Sequence, residues 1–214
     1  MGNKDRLREF HRGNILNAAK RLFIEKGIAQ TTVDDIAKEA DYSKSTLYVY
    51  FKSKEEIYNH IILEYIQLLK QAIADVLRDS AGFPDGYFAI CNALVNFRAA
   101  YPLYFESILG EVKLPEKESE AVLFQIYSIG EELNSIIETY FKIHLQQGEF
   151  SGGISALQMT FILWASIGGI ITMANKKEAY IHRAMGVTKD EFMQNAFKLL
   201  LKSITYEKEW EDRV

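Results

Sequence analysis

The sequence predicts an all-α protein: an N-terminal three-helix bundle containing a helix-turn-helix, followed by a larger helical C-terminal domain. Three observations carry that expectation. Apolar residues recur at i, i+3, i+4 and i+7 through most of the chain, the period of a helix with one buried face. No stretch alternates apolar and polar residues over the length of a strand. Helix-start signatures recur at Thr32–Asp35, Ser53–Glu56 and Thr188–Glu191, where a hydroxyl and a carboxylate three residues apart satisfy each other's backbone N–H groups. With 214 residues, 48% of them hydrophobic, and only three prolines, the chain can bury a core and is not composed like a disordered one.

The first helix carries Ile15, Ala18, Ala19, Leu22 and Phe23 on one stripe and ends at Gly27, a residue suited to a helix C-cap. Basic residues Lys4, Arg6, Arg8 and Arg12 precede that stripe. They read either as an arm reaching phosphate or the minor groove, or as a solvated helix start. Thr32 caps a second helix bearing Val33, Ile36, Ala37 and Ala40, and Asp41-Tyr42-Ser43 breaks it. Ser43 caps a third, over Lys44 to Tyr50, and Ser53 opens a long fourth from Lys54 to Arg78 or Asp79. The run from Ser80 to Gly86 is expected to interrupt. Helices are then expected at 87–100, 102–110, 116–147, 154–176 and 188–206. The domain boundary is set at 1–53 and 54–214, with no flexible linker between them.

Two short helices joined by a tight turn make a helix-turn-helix. At roughly 100° per residue, Leu47 and Phe51 of the third helix share its inward face. Ser45 and Val49 centre the outward face, flanked by Thr46 and Tyr48, with Lys44 at the start. Small hydroxyls, a lysine and a tyrosine suit base edges, thymine methyls and phosphates in a major groove. An ordinary helical hairpin with a polar outer face is the plainer alternative. Charge favours nucleic acid at this end. Residues 1–54 hold eleven Lys/Arg against seven Asp/Glu, although the whole chain carries a net −4.

The run Ile15-Leu16-x-Ala18-Ala19-x-x-Leu22-Phe23-x-x-x-Gly27, then Thr31-Thr32-Val33-x-x-Ile36-Ala37-x-x-Ala40-x-x-Ser43, then Thr46-Leu47-Tyr48-x-Tyr50-Phe51-x-Ser53-Lys54-Glu55 resembles the TetR/AcrR family of bacterial transcriptional regulators. The match covers about a quarter of the chain. The resemblance implies a homodimeric helical repressor, released from a double-stranded DNA operator by a small-molecule effector. On that basis residues 1–53 are the DNA-binding domain and 54–214 the effector-binding and dimerisation domain. Lys44, Ser45, Thr46, Tyr48 and Val49 are expected at the groove, and Thr32, Tyr50 and Lys54 at phosphates. The resemblance also implies an effector cavity between the fourth helix and the dimer interface. Tyr65, Cys91, Tyr104, Tyr127 and Trp164 are the residues expected to line it, unless they simply fill a core.

The stretch from Ile154 to Ala174 has no formal charge and is long enough to cross a membrane. Polar residues from Ser155 to Thr172 dilute it, and small residues Ala165, Ser166, Gly168 and Gly169 permit close helix approach. A buried subunit interface is the preferred reading; the resemblance places it on this helix and the last, which implies Phe161, Ala165 and Gly169 meeting Phe192, Ala196 and Leu200 across a two-fold axis. No membrane partner is expected. The four histidines show no ligand spacing, and no phosphate loop or nucleophile elbow occurs. No cofactor, metal or enzymatic activity is therefore expected. A single cysteine, and N-terminal residues without an apolar h-region, fit a cytoplasmic protein. The rival reading is a DNA-binding structural or division-control protein of the same fold without a small-molecule ligand.

Overall fold

The computed structural model describes residues 2–110, 121–148 and 153–205. Among them the chain forms α1 (Asn3–Lys26), α2 (Val33–Glu39), α3 (Lys44–Tyr50), α4 (Lys54–Arg78), α5 (Phe83–Ala100), α6 (Pro102–Ile108), α7 (Ala121–Gln146), α8 (Ala156–Lys176), α9 (Glu178–Met185) and α10 (Lys189–Ile204). The all-α expectation holds. Residues 116–120, expected to begin α7, and residue 206 lie outside the described residues.

The chain divides into two compact units. The first holds residues 2–67 with 121–128, and the second holds 68–110, 129–148 and 153–205. In the first, α1 packs on α2 and α3, burying Ile15, Ala18, Ala19 and Phe23 against a core that also takes Ile36, Leu47, Phe51, Ile57 and Ile61. Gly27 ends α1 at a φ of 82°, in the range that favours glycine. Thr31 is buried with its hydroxyl donating to the Gly27 carbonyl at 2.8 Å, so its polar atom is satisfied.

The turn between α2 and α3 is a Schellman motif. Tyr42 N–H donates to the Ala37 carbonyl at 2.8 Å and Asp41 N–H to the Lys38 carbonyl at 3.2 Å. Its left-handed residue is Asp41, at a φ of 60°. The expected polar break thus has a defined geometry, with aspartate where glycine costs least.

In the second unit α8 packs against α10 and α5, and α5 also meets α10. Buried Phe83, Tyr87, Ile90 and Leu94 of α5 join Ile137 and Phe141 of α7, Ile167 and Ile171 of α8, and Phe197 of α10. Tyr87 donates to the Phe197 carbonyl at 2.9 Å. Two local expectations fail. Phe83 to Gly86 is the first turn of α5, not part of the break, because Pro84 suits a first helical turn and Asp85 complements its N-terminal N–H groups. Residues 178–185, left unassigned between helices, form α9, which ends at left-handed Gly186.

Candidate nucleic-acid interface and effector body

The outward face of α3 is what its periodicity predicts. Leu47 is fully buried, whereas Val49 is 71% exposed and Tyr48 47% exposed. Ser45 and Lys44 are exposed and Thr46 is half-buried. Ser43 caps the helix, its Oγ accepting from Thr46 N–H at 3.1 Å and sharing hydrogen bonds with the Ser45 and Thr46 hydroxyls at 2.8 Å. Lys44 Nζ pairs with Asp34 of α2 at 2.8 Å, and that carboxylate raises the lysine's pKa. Ser45, Thr46, Tyr48 and Val49, the side chains expected at a groove, and this lysine therefore share one surface, on a helix held from behind by a leucine.

The three residues expected at phosphates are more engaged. Thr32 accepts from Asp35 N–H at 3.1 Å and donates to the Asp35 carboxylate at 2.7 Å. Lys26 first, then the Thr32 N–H and hydroxyl, hold the Asp35 carboxyl far below the usual carboxylate range. Lys54 Nζ donates to the Ile28 and Thr31 carbonyls at 2.9 Å each, which ties the first turn of α4 to the loop before α2. One of its three N–H groups is left over. Tyr50 is half-buried, and its carbonyl accepts from Arg12 at 3.0 Å.

Arg12 departs from the arm reading. Lys4, Arg6 and Arg8 are exposed on the first turns of α1, but the Arg12 side chain is only 18% exposed and turned inward. Sequence reasoning also missed the cluster around it. His11 Nδ1 shares a 2.6 Å hydrogen bond with the Tyr42 hydroxyl, Asn14 donates to that hydroxyl at 3.3 Å, and Arg12 reaches His60 on α4. The available signal was periodic. Residues 11, 12 and 14 lie three or four positions before Ile15 or Ala18, so they extend the buried stripe at 15, 18, 19 and 22 toward the N-terminus.

In the second unit, Cys91 and Tyr104 are fully buried in the core. Burial pushes the Cys91 thiol up to about 12, so it stays protonated at neutral pH, unlike a redox-active cysteine. Trp164 is half-buried and donates to Asn134 of α7 at 3.0 Å. Tyr65 and Tyr127 belong to the first unit, Tyr65 half-buried near Lys20 and Tyr127 exposed. A shallow apolar indentation among Tyr87, Phe141, Met159, Ile162, Leu163 and Leu200 contains none of these five.

Helix α8 has two faces. Met159, Leu163, Ile167 and Ile171 are buried, while Phe161 (56% exposed), Ile162, Ala165, Gly169 and Met173 face outward. The expected cluster of small residues divides between them. Gly168 packs inward, where an added Cβ would sit 2.8 Å from Leu109 Cδ1, and Gly169 has open space. On α10, Phe192, Ala196 and Leu200 are half-buried, beside exposed Leu199.

Residues 15–61 match the profile of the bacterial regulatory proteins of the tetR family. The negative transcriptional regulator IcaR of the biofilm operon icaADBC, from Staphylococcus aureus strain Newman, is 43% identical over 161 residues, which are 71% of this chain and 82% of IcaR. The chain belongs to the TetR family. It is a DNA-binding transcriptional regulator. The repressor KstR2 of Mycobacterium tuberculosis H37Rv is 25% identical over 197 residues, 84% of this chain and 94% of KstR2. The fold is also that of the regulator FadR of Bacillus subtilis, solved in complex with stearoyl-CoA. Its TM-score is 0.66 at 19% identity, covering 89% of this chain and 98% of FadR.

Proposed function

We propose that this regulator is a cytoplasmic homodimeric repressor, released from a near-palindromic operator by a small hydrophobic effector, and that it catalyses no reaction. The observation that carries the reading is the outward face of α3. Ser45, Tyr48 and Val49 stand exposed on a helix whose Leu47 is buried, at the basic end of the chain. Large side chains left in solvent on a short anchored helix suit a groove. In this reading residues 1–53 form the DNA-binding domain and 54–214 the effector and dimer domain. Lys44, Ser45, Thr46, Tyr48 and Val49 meet bases, and Thr32, Tyr50 and Lys54 lie along phosphates. The exposed apolar stripe of α8, with Phe161, Ala165 and Gly169, meets its symmetry mate together with Phe192, Ala196 and Leu200 of α10. Within the second unit, Tyr104 and Trp164, with Cys91, supply the effector site, which suits an apolar or planar ligand.

Footprinting of the gene's own upstream region with purified protein tests the reading. The expected result is one protected segment with two inverted half-sites, centred about one helical turn apart or more. Uniform weak protection that vanishes between about 50 and 200 mM salt would mean sequence-independent phosphate binding and overturn it.

A further inference from the structure

The guanidinium of Arg12 is enclosed by three elements of the first unit. From α1, its Nη1 donates to the carbonyl of Tyr50, the last residue of α3, at 3.0 Å. Carbonyls in a helix's last turn lack an intrahelical N–H partner, so this one depends on a side chain or solvent. Nη2 points at the imidazole of His60 on α4, 3.0 Å from Nε2 and 3.5 Å from Nδ1. The guanidinium carbon lies over the Phe51 ring, 4.4 Å from its centroid, and His60 packs edge-on against the same ring at 5.5 Å.

We propose that Arg12 and His60 are positioning residues for DNA recognition: the guanidinium, seated by the His60 imidazole, fixes the C-terminal end of α3 and so sets the angle at which that helix meets the groove. This rests on the reading of α3 as the groove-facing helix. A seven-residue helix does not hold its own geometry in water. Leu47 and the buried C-cap residue Phe51 anchor its inner face and the exposed Asp34–Lys44 pair its start, while the Arg12 tether holds the last-turn carbonyl and the Phe51 ring at its far end. The same tether ends on α4, so it adds a polar link between α4 and α3 to the apolar packing of His60 on Phe51.

The hydrogen-bond chemistry makes the tether sensitive to acid. A guanidinium nitrogen 3.0 Å from one ring nitrogen and 3.5 Å from the other is held by an uncharged imidazole and repelled by an imidazolium. The charged groups facing His60 are Arg12 and Glu9 from α1 and Glu56 and Glu64 from α4, with Glu64 tied to Lys20. Burial first, then Arg12, hold the imidazole's pKa below its ordinary value, against the opposing pull of the three glutamates. An unfolded histidine takes its proton near about 6.5, and the folded one only below that. The tether is therefore intact above that pH and is lost as pH falls through the folded value, when an imidazolium would face a guanidinium.

The test measures affinities for the footprinted duplex and for a random duplex of equal length, at fixed ionic strength. Their ratio cancels the general electrostatic gain of an acidified protein on a polyanion. Arg12→Gln and His60→Leu are expected to lower the ratio roughly tenfold, the size of one good base contact. His60→Gln, whose amide oxygen accepts the same bond, keeps it. Salt slopes stay at the wild-type value in all three. For wild type the ratio falls as the pH is taken below the ordinary histidine value of about 6.5 and through the lower folded value, and for His60→Gln it does not. That pH profile needs no substitution at Arg12, so it stands even where Arg12→Gln fails to fold. A flat wild-type profile, or an unchanged ratio in Arg12→Gln, overturns the tether. So does a salt slope reduced by about 0.9 in Arg12→Gln, which would make Arg12 a phosphate contact. Tyr48→Ala separates the two layers of the reading. A ratio insensitive to Tyr48→Ala defeats the α3 reading itself, whereas a ratio sensitive to Tyr48 and not to Arg12 defeats only the tether.

Discussion

Asp41 and Lys54 each hold one corner of the helix-turn-helix, and each carries a measurable consequence. Asp41 occupies the left-handed position of the Schellman turn, where a Cβ is crowded by the following carbonyl and glycine is not. Asp41→Gly is expected to raise stability by about 1 kcal/mol, and Asp41→Val to lower it, in urea melts of the full chain. Leaving α3 unchanged, the glycine variant should keep wild-type operator affinity. Lys54 bridges the Ile28 and Thr31 carbonyls, so its replacement strips two acceptors of their donor. Lys54→Met should cost about 1–3 kcal/mol in the same melts. If its third N–H meets a phosphate, as proposed, the slope of log affinity against log salt falls by about 0.9 as well. A lower melt with an unchanged slope would make Lys54 purely a brace.

At the scale of elements, glycines divide the helices into tight and open contacts. A Cβ at Gly86 of α5 would lie 2.6 Å from Tyr140 Cε2 and 2.9 Å from its hydroxyl oxygen. That ring is stacked on Phe83 and its hydroxyl is bonded to the Phe83 carbonyl, so it has nowhere to move. Gly86→Ala should therefore cost about 1–3 kcal/mol, despite the better helix propensity of alanine. Gly168→Ala meets the branched end of the Leu109 side chain, its nearest atom the Cδ1 methyl, which can turn aside, and thermal melts should show a smaller loss. Neither contact is legible in the sequence, because both depend on which turn of which helix lies opposite. The helix-turn-helix was legible almost residue by residue. Its caps are local, and Thr32, Ser43 and Ser53 carry them within three residues. Helix α9 was not: eight residues with Ile181 alone buried leave no apolar stripe to read. The start of α5 was misread because Pro84 and Gly86 signal a break when weighed alone, and a helix start once Phe83 is seen to be buried. Arg12 was misread for a related reason, since a basic residue beside other basic residues looks solvated until its partners on α3 and α4 are known.

For the whole molecule, the proposed dimer turns on the face of α8 that stands exposed among the described residues. Phe161, Ile162 and Met173 stand exposed on one side of a helix whose other side is packed in the core, and Leu199 of α10 is also exposed. Helix α8 is long and apolar enough to cross a membrane by length and composition, so a bilayer and a second copy compete for this face. The buried half argues for the second copy. A span would have to pull Leu163, Ile167 and Ile171 out of contact with the rest of its unit, whereas a symmetric partner leaves them in place and covers what is still wet. Light scattering without detergent should therefore give twice the 24.6 kDa chain mass. Gly169 is the point at which to test the face, because it is exposed and an added Cβ meets nothing within 4 Å among the described residues. Gly169→Glu should leave the fold of one chain intact and place two like charges where the copies meet, giving monomer or aggregate. Operator affinity should fall with it, since a monomer reads one half-site where the dimer reads two, while affinity for random DNA should change far less. A monodisperse Gly169→Glu dimer with wild-type operator affinity would move the interface to another surface, and dependence of the wild type on detergent for solubility would return the bilayer as the partner of α8.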